Sequence, residues 1–549
     1  MERLISRIVL VITISLFIQV TVTASEKDNN GIKVLINNSE IVYDGRYGYP
    51  FVDDQDHVQV PLRLTLEKFG AKVTWNAKER TAIAQKGDII VEIPIGQKVL
   101  YKNDEIIINE SEALVIDSRT YLPIRAVMEA FGCDVTWSEI QGAVYIDFKK
   151  TLAATIITVP PTFDLRDYNK VSSVKDQKEI GACWAFSTLG AIESTLLPET
   201  VLDLSEDNLS LTHGYQVSQN QGGDFNIAMS YLARWDGPIL EADDLYGDLI
   251  ANNNARAVKH VQEALVLPSK NYLAIKLSLL LYGGVQTSMY FDSSIIKEGS
   301  SIFNTETSAF YYKGNAKINH AVVIIGWDDH FSKENFVVTP EADGAFICKN
   351  SYGEDFGSEG IFYVSYYDKY IGTENYVFTR IESANNYSFN YGTDRLGWVG
   401  RLGYGNDTAY FANAYTPNTK KESLRAVGFY ATDQDTDYEI YLVNHFKTPL
   451  DFRNMKLIKR GSLDYKGYYT IDFDAPFVVT DKFAVVVKIT TPGSNLPVAA
   501  EYYKDVDWLS EVDVSDGEGY MSQKGFIWDS TELDFNSNVC LKAFTDTIN

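Results

Sequence analysis

Cysteine is scarce in this chain, with four residues, Cys133, Cys183, Cys348 and Cys540, among 549. So few, so far apart, cannot form the disulfide framework that staples small exported domains. Histidine is nearly as rare at six, and no cluster of histidine and cysteine at ligand spacing marks a metal site, so neither metal nor other cofactor is expected. Basic residues are outnumbered 49 to 74, a formal net charge of -25. That balance argues against nucleic acid or an anionic membrane as the main partner. Beyond the N-terminal segment, no apolar run is long enough to span a bilayer.

What is present is globular composition, 45% hydrophobic and 22% charged, over a length that calls for about three domains. Arg3 and Arg7 precede an apolar run over residues 8–22, which leads into Val22-Thr23-Ala24. Charged region, short apolar core and small-residue site together read as a secretory signal over residues 1–24. A retained anchor is the weaker reading, because Thr13, Ser15 and Gln19 interrupt the run. The mature protein is expected to be secreted, with the cell surface or cell wall as its setting.

Residues 31–148 contain an internal repeat at a constant offset of 62. Phe69-Gly70-Ala71-Lys72-Val73-Thr74-Trp75 matches Phe131-Gly132-Cys133-Asp134-Val135-Thr136-Trp137. Each copy predicts a short helix closed by glycine, then a strand, a turn and a second strand, and two copies should bury each other's apolar faces as one α+β unit. This region resembles the copper amine oxidase N-terminal-like (stalk) domain. Its one histidine, His57, has no second ligand at metal spacing, so the resemblance implies presentation at the envelope or a plain spacer. Residues 149–161 read as a linker ending in Pro160-Pro161, a pair that continues neither helix nor central strand.

The chain is organised around Gly181-Ala182-Cys183-Trp184-Ala185-Phe186-Ser187. Ala185, Leu189, Ile192 and Leu196 recur at helical spacing down to Pro198, which predicts a helix with Cys183 in its first turn. Unpaired N–H groups and the positive end of the macrodipole favour a thiolate there. Gln177, six residues earlier, is a neutral donor suited to an oxyanion. Taken alone, Cys183 reads more simply as one more buried cysteine. Two later stretches shift the balance. Asn319-His320 leads into the buried-strand run Ala321-Val322-Val323-Ile324-Ile325, and Asn350 stands in Lys349-Asn350-Ser351-Tyr352-Gly353. Cysteine, base and orienter is the arrangement of a nucleophilic hydrolase.

In this order, and each within its own motif, Gln177, Cys183, His320 and Asn350 resemble the papain-like cysteine peptidases. The resemblance extends to Asp164-Leu165-Arg166, Leu204-Ser205-Glu206 and the loop Gln221-Gly222-Gly223-Asp224. It implies a helical lobe facing a β-barrel lobe over residues 162–374. It also implies Gln177 at the oxyanion, His320 as base, Asn350 as orienter, and Gly222, Gly223, Trp184, Asn319 and Tyr352 around a peptide or protein substrate. Residues 309–319 and 283–290 are expected to border that cleft. The chain departs from the family where Ile180 replaces a paired cysteine and where Tyr352 and Phe356 replace tryptophans. Residues 328–343 read as an inserted surface loop.

From residue 375 to 549 the chain alternates short apolar runs with turns, as in Tyr438-Glu439-Ile440-Tyr441-Leu442-Val443, which predicts an all-β sandwich. It resembles the lectin-like domain that follows such peptidases, which implies either a glycan of the cell envelope as ligand or a domain that braces the peptidase. The fold class expected is therefore multidomain: an α+β stalk-like repeat, a papain-like α+β domain and a β-sandwich, in a monomer. A secreted cysteine endopeptidase is the leading reading. The rival is a surface adhesin whose papain-like domain binds peptides without cutting them, and acyl transfer to an amine is a third.

Overall fold

The computed structural model describes residues 31–148 and 159–548, apart from 37–38, 54–56, 88, 104, 110, 118, 139–141, 293–299, 503–508 and 511. The expected signal and nearly all of the expected linker lie outside the described residues. The chain divides into two compact units, residues 1–156 and 157–549.

In the first unit the repeat is explicit. Helices Leu62–Lys68 and Ile124–Ala130 each run into a glycine with positive φ, Gly70 at 87° and Gly132 at 81°. There the missing Cβ lets the chain turn out of the helix. Strands Lys72–Asn76 and Thr81–Lys86 follow the first helix, and Cys133–Ser138 and Ala143–Phe148 the second. Both hairpins keep the same register, Trp75 opposite Ala82 and Trp137 opposite Val144. The copies bury each other: Phe69 and Phe131 approach to 5.3 Å, and Val60, Leu66, Leu122, Val127 and Ile146 share one core. Among the described residues no group of three or more His, Cys, Asp or Glu is placed to hold a metal ion.

The second unit begins with a helical lobe: α1 (Cys183–Leu196), α2 (Glu206–Thr212) and α3 (Phe225–Ala233). The spacing of apolar residues predicts one stripe on α1, yet residues 184–194 are buried all round. The small residues Ser187, Gly190, Ala191 and Ser194 let neighbours approach on every side; a Cβ on Gly190 would lie 3.4 Å from Val323 and 3.5 Å from Lys349 Nζ. The strands opposite are β1 (Lys259–Leu267), β2 (Val285–Met289), β3 (His320–Asp328), β4 (Ala345–Lys349), β5 (Ile361–Ser365) and β6 (Asn375–Ser383). From β2 to β5 they pair antiparallel in sequence order, with the apolar run of β3 buried along its length. Residues 328–343, expected as a bare loop, carry a small core of their own, with Phe331 and Phe336 against Ala309, Tyr311 and Ala345.

The C-terminal strands β7 (Thr408–Tyr415), β8 (Glu422–Ala431), β9 (Thr436–Val443), β10 (Lys466–Val479), β11 (Phe483–Thr490) and β12 (Leu541–Thr547) form a sandwich. One layer holds β10, β8 and β12, the other β9, β11 and β7, and Phe429 and Phe411 meet between them at 6.4 Å. The first layer continues the peptidase sheet, because β10 pairs with β1 and β1 with β6. At that crossing a Cβ on Gly467 would stand 2.2 Å from the Ala264 carbonyl, so only glycine fits. The expected start of the C-terminal domain, residue 375, falls at the head of β6, which pairs with β2 and β1. Cys183 is half-buried, and Cys133, Cys348 and Cys540 are buried.

Candidate active site

Cys183 is the first residue of α1, preceded by an N-cap, Ala182, that offers no side-chain acceptor. The unpaired N–H groups of that turn are therefore left to the thiol. Burial pushes the thiol above its usual range, and the N–H groups of Ala321, Trp184 and Cys183 itself oppose this by bonding to it. Ala321 is the second residue of β3, so the sulfur sits against the strand that His320 opens.

His320 is buried, and its Nε2 lies 2.8 Å from Asn350 Oδ1. The same oxygen accepts the Ser351 backbone N–H at 2.9 Å. A backbone N–H only donates, so the atom it meets is the amide oxygen, and His320 Nε2 must then carry the proton that it shares with Asn350. Nδ1 is left as the basic nitrogen. Burial lowers the His320 pKa to about 4, against the raising effect of Asn350. Tyr352 stacks on the imidazole at 5.0 Å and 21°, with Phe291 at 5.1 Å, so rings exclude water from the His320–Asn350 bond. Tyr352 thus covers the His320–Asn350 bond, and Phe291 is an addition that no sequence motif signalled.

Gln177 is buried, with its amide fixed at both ends. Nε2 donates to the Ile180 carbonyl at 2.7 Å and Oε1 accepts from Ser351 Oγ at 2.7 Å. One amide proton remains for a ligand. The Gln177 N–H also bonds the Ser351 carbonyl at 2.8 Å, so Ser351 joins the glutamine to the histidine–asparagine pair. Ser351 lies inside the Asn350 motif, and its hydroxyl was legible there as a residue type only. Behind it, buried Lys349 donates to the Ser172 hydroxyl at 2.8 Å and to the Ser172 and Ser173 carbonyls, tying the strand before Asn350 to the loop before Gln177.

A cleft of about 1060 Å³ opens between the lobes, and Gln177, Cys183, Trp184, Gly222, Gly223, Asn319, His320 and Tyr352 all line it. Asn350 stands behind the imidazole. Gly222 has φ 85°, and Gly223 lies flat on Trp184, where a Cβ would come within 2.4 Å of the indole. Trp184, expected at the substrate, is therefore mostly core, 2% exposed, and supports the glycine loop from beneath. The Asn319 amide is engaged with Phe291, donating to its carbonyl at 2.7 Å and accepting its N–H at 2.8 Å. The Asn319 N–H bonds the Met289 carbonyl at 3.2 Å, so what Asn319 offers a ligand is its backbone carbonyl.

A half-buried thiol at a helix N-terminus, an oriented imidazole and a free amide proton, facing one another across a two-lobed cleft, define the class of papain-like cysteine peptidases. The comparisons with known proteins agree. Residues 159–381 match the family model of the papain family cysteine protease, residues 390–545 that of the lectin-like domain, and residues 35–146 that of the copper amine oxidase N-terminal domain. The chain carries a papain-family cysteine protease domain with a lectin-like domain after it. Its peptidase region is 30% identical over 210 residues to the viral cathepsin of Epiphyas postvittana nucleopolyhedrovirus, and 29% over 215 residues to cathepsin K of Mus musculus. Each match takes in 37% of this chain and 58% of the relative, so the chain spans about three-fifths of these curated relatives. The structure of the clostridial cysteine protease Cwp84 after propeptide cleavage aligns at TM-score 0.63 and 25% identity, over 70% of this chain and 99% of that one. The cysteine protease and lectin-like domains of Cwp84, a surface layer associated protein of Clostridium difficile, align at 0.62 and 24%, over 71% and 89%. The arrangement of a papain-like domain followed by a lectin-like one is common to both.

Proposed function

We propose that this chain is an exported cysteine endopeptidase that hydrolyses peptide bonds with Cys183 as nucleophile. The observation that carries the reading is the shared oxygen of Asn350, which turns His320 so that an unprotonated Nδ1 is presented on the side away from Asn350. Burial disfavours a lone thiolate and a lone imidazolium alike. Proton transfer from Cys183 to His320 creates both charges together, so their mutual attraction and the N–H groups around the sulfur offset the desolvation. The thiolate attacks the scissile carbonyl, and the oxyanion is held by the remaining Gln177 proton and the Cys183 N–H. The imidazolium protonates the leaving amine, and water, activated by the neutral imidazole, releases the acyl group. Export is supported by the charged, apolar and small-residue pattern of residues 1–24, and a cell-surface setting by the likeness to a surface-layer protease.

Intact mass after treatment with an epoxide inactivator tests the reading. One adduct on the wild type, none on Cys183→Ala, and hydrolysis of an unfolded protein by the wild type alone are the expected results. A folded wild type that takes no adduct and cuts nothing refutes it, and the peptide-binding adhesin then stands in its place.

A further inference from the structure

A second imidazole is oriented in the way that His320 is, and the peptidase chemistry does not use it. His260 is the second residue of β1, opposite Glu382 of β6. Its Nδ1 lies 2.7 Å from Asn386 Oδ1, and the same oxygen accepts the Tyr387 backbone N–H at 3.0 Å. The Asn386 amide nitrogen donates to Glu382 Oε2 at 2.8 Å, so the amide is fixed at both ends. His260 Nδ1 therefore carries the shared proton, and Nε2 is left as an acceptor. Burial lowers the His260 pKa, against the raising effects of Asn386 and Glu382, so the ring is neutral at pH 7.

The ring is held by a slab of aromatics. Trp235 stacks on it at 3.9 Å and 8°, with Phe544 at 5.4 Å and Tyr387 at 6.4 Å from the indole. Trp235 takes this place with φ 69°, in the left-handed region that costs a bulky side chain about 1–3 kcal/mol.

His260 is 4% exposed, and it lines a cavity of about 570 Å³ between α2, the loop before β1 and the turn after β6. Its Nε2 meets no partner among the described residues. The guanidinium of Arg256 and the side-chain amides of Asn253 and Asn385 line the same cavity, exposed, and bond to nothing among the described residues. The carboxylate of this lining, Asp236, is taken by Arg234 at 2.6 Å. In a chain of net charge -25 the cavity thus holds an unmatched cation beside neutral donors and acceptors. Such a set suits one rigid ligand that carries an anion and several hydroxyls, and the volume is that of a small-molecule site. The cavity shares no residue with the cleft that holds Cys183. Its 384–388 turn falls between the stretches matched as peptidase and as lectin-like domain.

We propose that this cavity binds an acidic sugar, with the carboxylate on Arg256 and ring hydroxyls on His260 Nε2, Asn253 and Asn385. The arginine supplies a charge-assisted pair of bonds, and the oriented imidazole supplies an acceptor that fixes the pose of the ring. The site does not depend on the peptidase reading.

The test is calorimetric titration of the full chain carrying Cys183→Ala, so that self-digestion is excluded. The probes are glucuronic acid, galacturonic acid and N-acetylmuramic acid, beside glucose and inorganic phosphate, each to about 10 mM. At least one acidic sugar should bind one to one, with glucose at least tenfold weaker. Arg256→Gln should lower that affinity about tenfold, the size of one charge-assisted bond, and Asn385→Asp should do the same by like-charge repulsion. Both positions are exposed, and circular dichroism checks the fold. In nitrogen-15 spectra the His260 Nε2 signal, assigned by its loss in His260→Gln, should move on titration while that of His320 stays. No binding by any of the three acids, glucose as tight as they are, or an unchanged affinity in Arg256→Gln overturns the proposal. A His260 signal that stays still while sugar binds overturns it as well. Phosphate that binds as tightly as the sugars replaces it with a plain anion site.

Discussion

Ser351 and His320 meet on a single atom: the backbone N–H of one and Nε2 of the other both donate to Asn350 Oδ1, at 2.9 and 2.8 Å. The first bond fixes the amide orientation, and the amide then fixes the imidazole tautomer. Asn350→Ala should leave the backbone N–H to find water and free the imidazole to turn. The expected result is a loss in kcat of about 10²-fold with little change in KM, because the lost bond positions a base and touches no substrate. Steady-state kinetics on folded variant, with circular dichroism as the check on the fold, decide it.

Gln177 and Ser351 separate donation from orientation. Gln177→Ala removes the oxyanion donor and should cost about 10²–10³ in kcat. Ser351→Ala keeps the donor and removes the hydroxyl that holds its Oε1 at 2.7 Å. The amide stays bonded to Ile180, so the loss should be smaller, about tenfold, and the double variant should show no more than the Gln177→Ala loss. A Ser351→Ala loss as large as that of Gln177→Ala would mean that the hydroxyl acts on substrate itself.

Cys183, His320 and Asn350 were legible in the sequence because each lies in a local pattern, a helix start, a strand entrance and the run Asn350-Ser351-Tyr352-Gly353, and Gln177 by its place six residues before the cysteine. Contacts that join distant segments left no such trace. Lys349 reaches Ser172 across 177 residues, and β1 pairs with β10 across two hundred, so neither a side-chain anchor nor a continuous sheet shows in any window of the chain. Trp184, which lines the cleft at 2% exposure, was only half legible, because a tryptophan beside a nucleophile has the same sequence signature whether its ring faces the ligand or props the backbone that does. The all-round burial of α1 was hidden for a related reason. Its serines and glycine break the apolar count, yet they are what allows β3 and Lys349 to come close.

Beneath the cleft, Lys175 serves two carboxylates that are each only 2% exposed. Its Nζ lies 3.4 Å from Glu193 and 2.9 Å from Glu206, and it also donates to the Leu204 carbonyl at 2.8 Å. Burial works against the lysine charge and is outweighed by the two glutamates, while burial lifts Glu206 to about 8 despite the lysine. Lys175→Met would take from the two buried glutamates, and from exposed Asp203 at 2.7 Å, the ammonium they pair with, and should destabilise the domain by about 3–5 kcal/mol. Denaturant unfolding measures this directly. A loss under about 1 kcal/mol would place the pair in solvent-screened surroundings instead.

His213 provides the acid limit of the fold. It is 2% exposed, and its Nδ1 accepts the Tyr215 N–H at 3.1 Å, a bond that only neutral imidazole can make. Burial, with the Arg234 charge acting the same way, lowers its pKa from the ordinary 6.5 to about 4, against the Ser210 and Val217 backbone. Between those values the unfolded chain binds a proton that the folded chain refuses, so stability falls as pH drops from 6.5 toward 4 and is flat above 7. The two-and-a-half-unit gap corresponds to about 3 kcal/mol for one group. His320 and His260, both lowered chiefly by burial, carry the same sign, so a wild-type slope alone cannot be assigned. His213→Gln should remove its own share: the urea midpoint of the variant should fall less than that of the wild type between pH 7.5 and pH 4.5, even if it starts lower. Parallel curves for the two proteins would show that His213 takes its proton without opening the helical lobe.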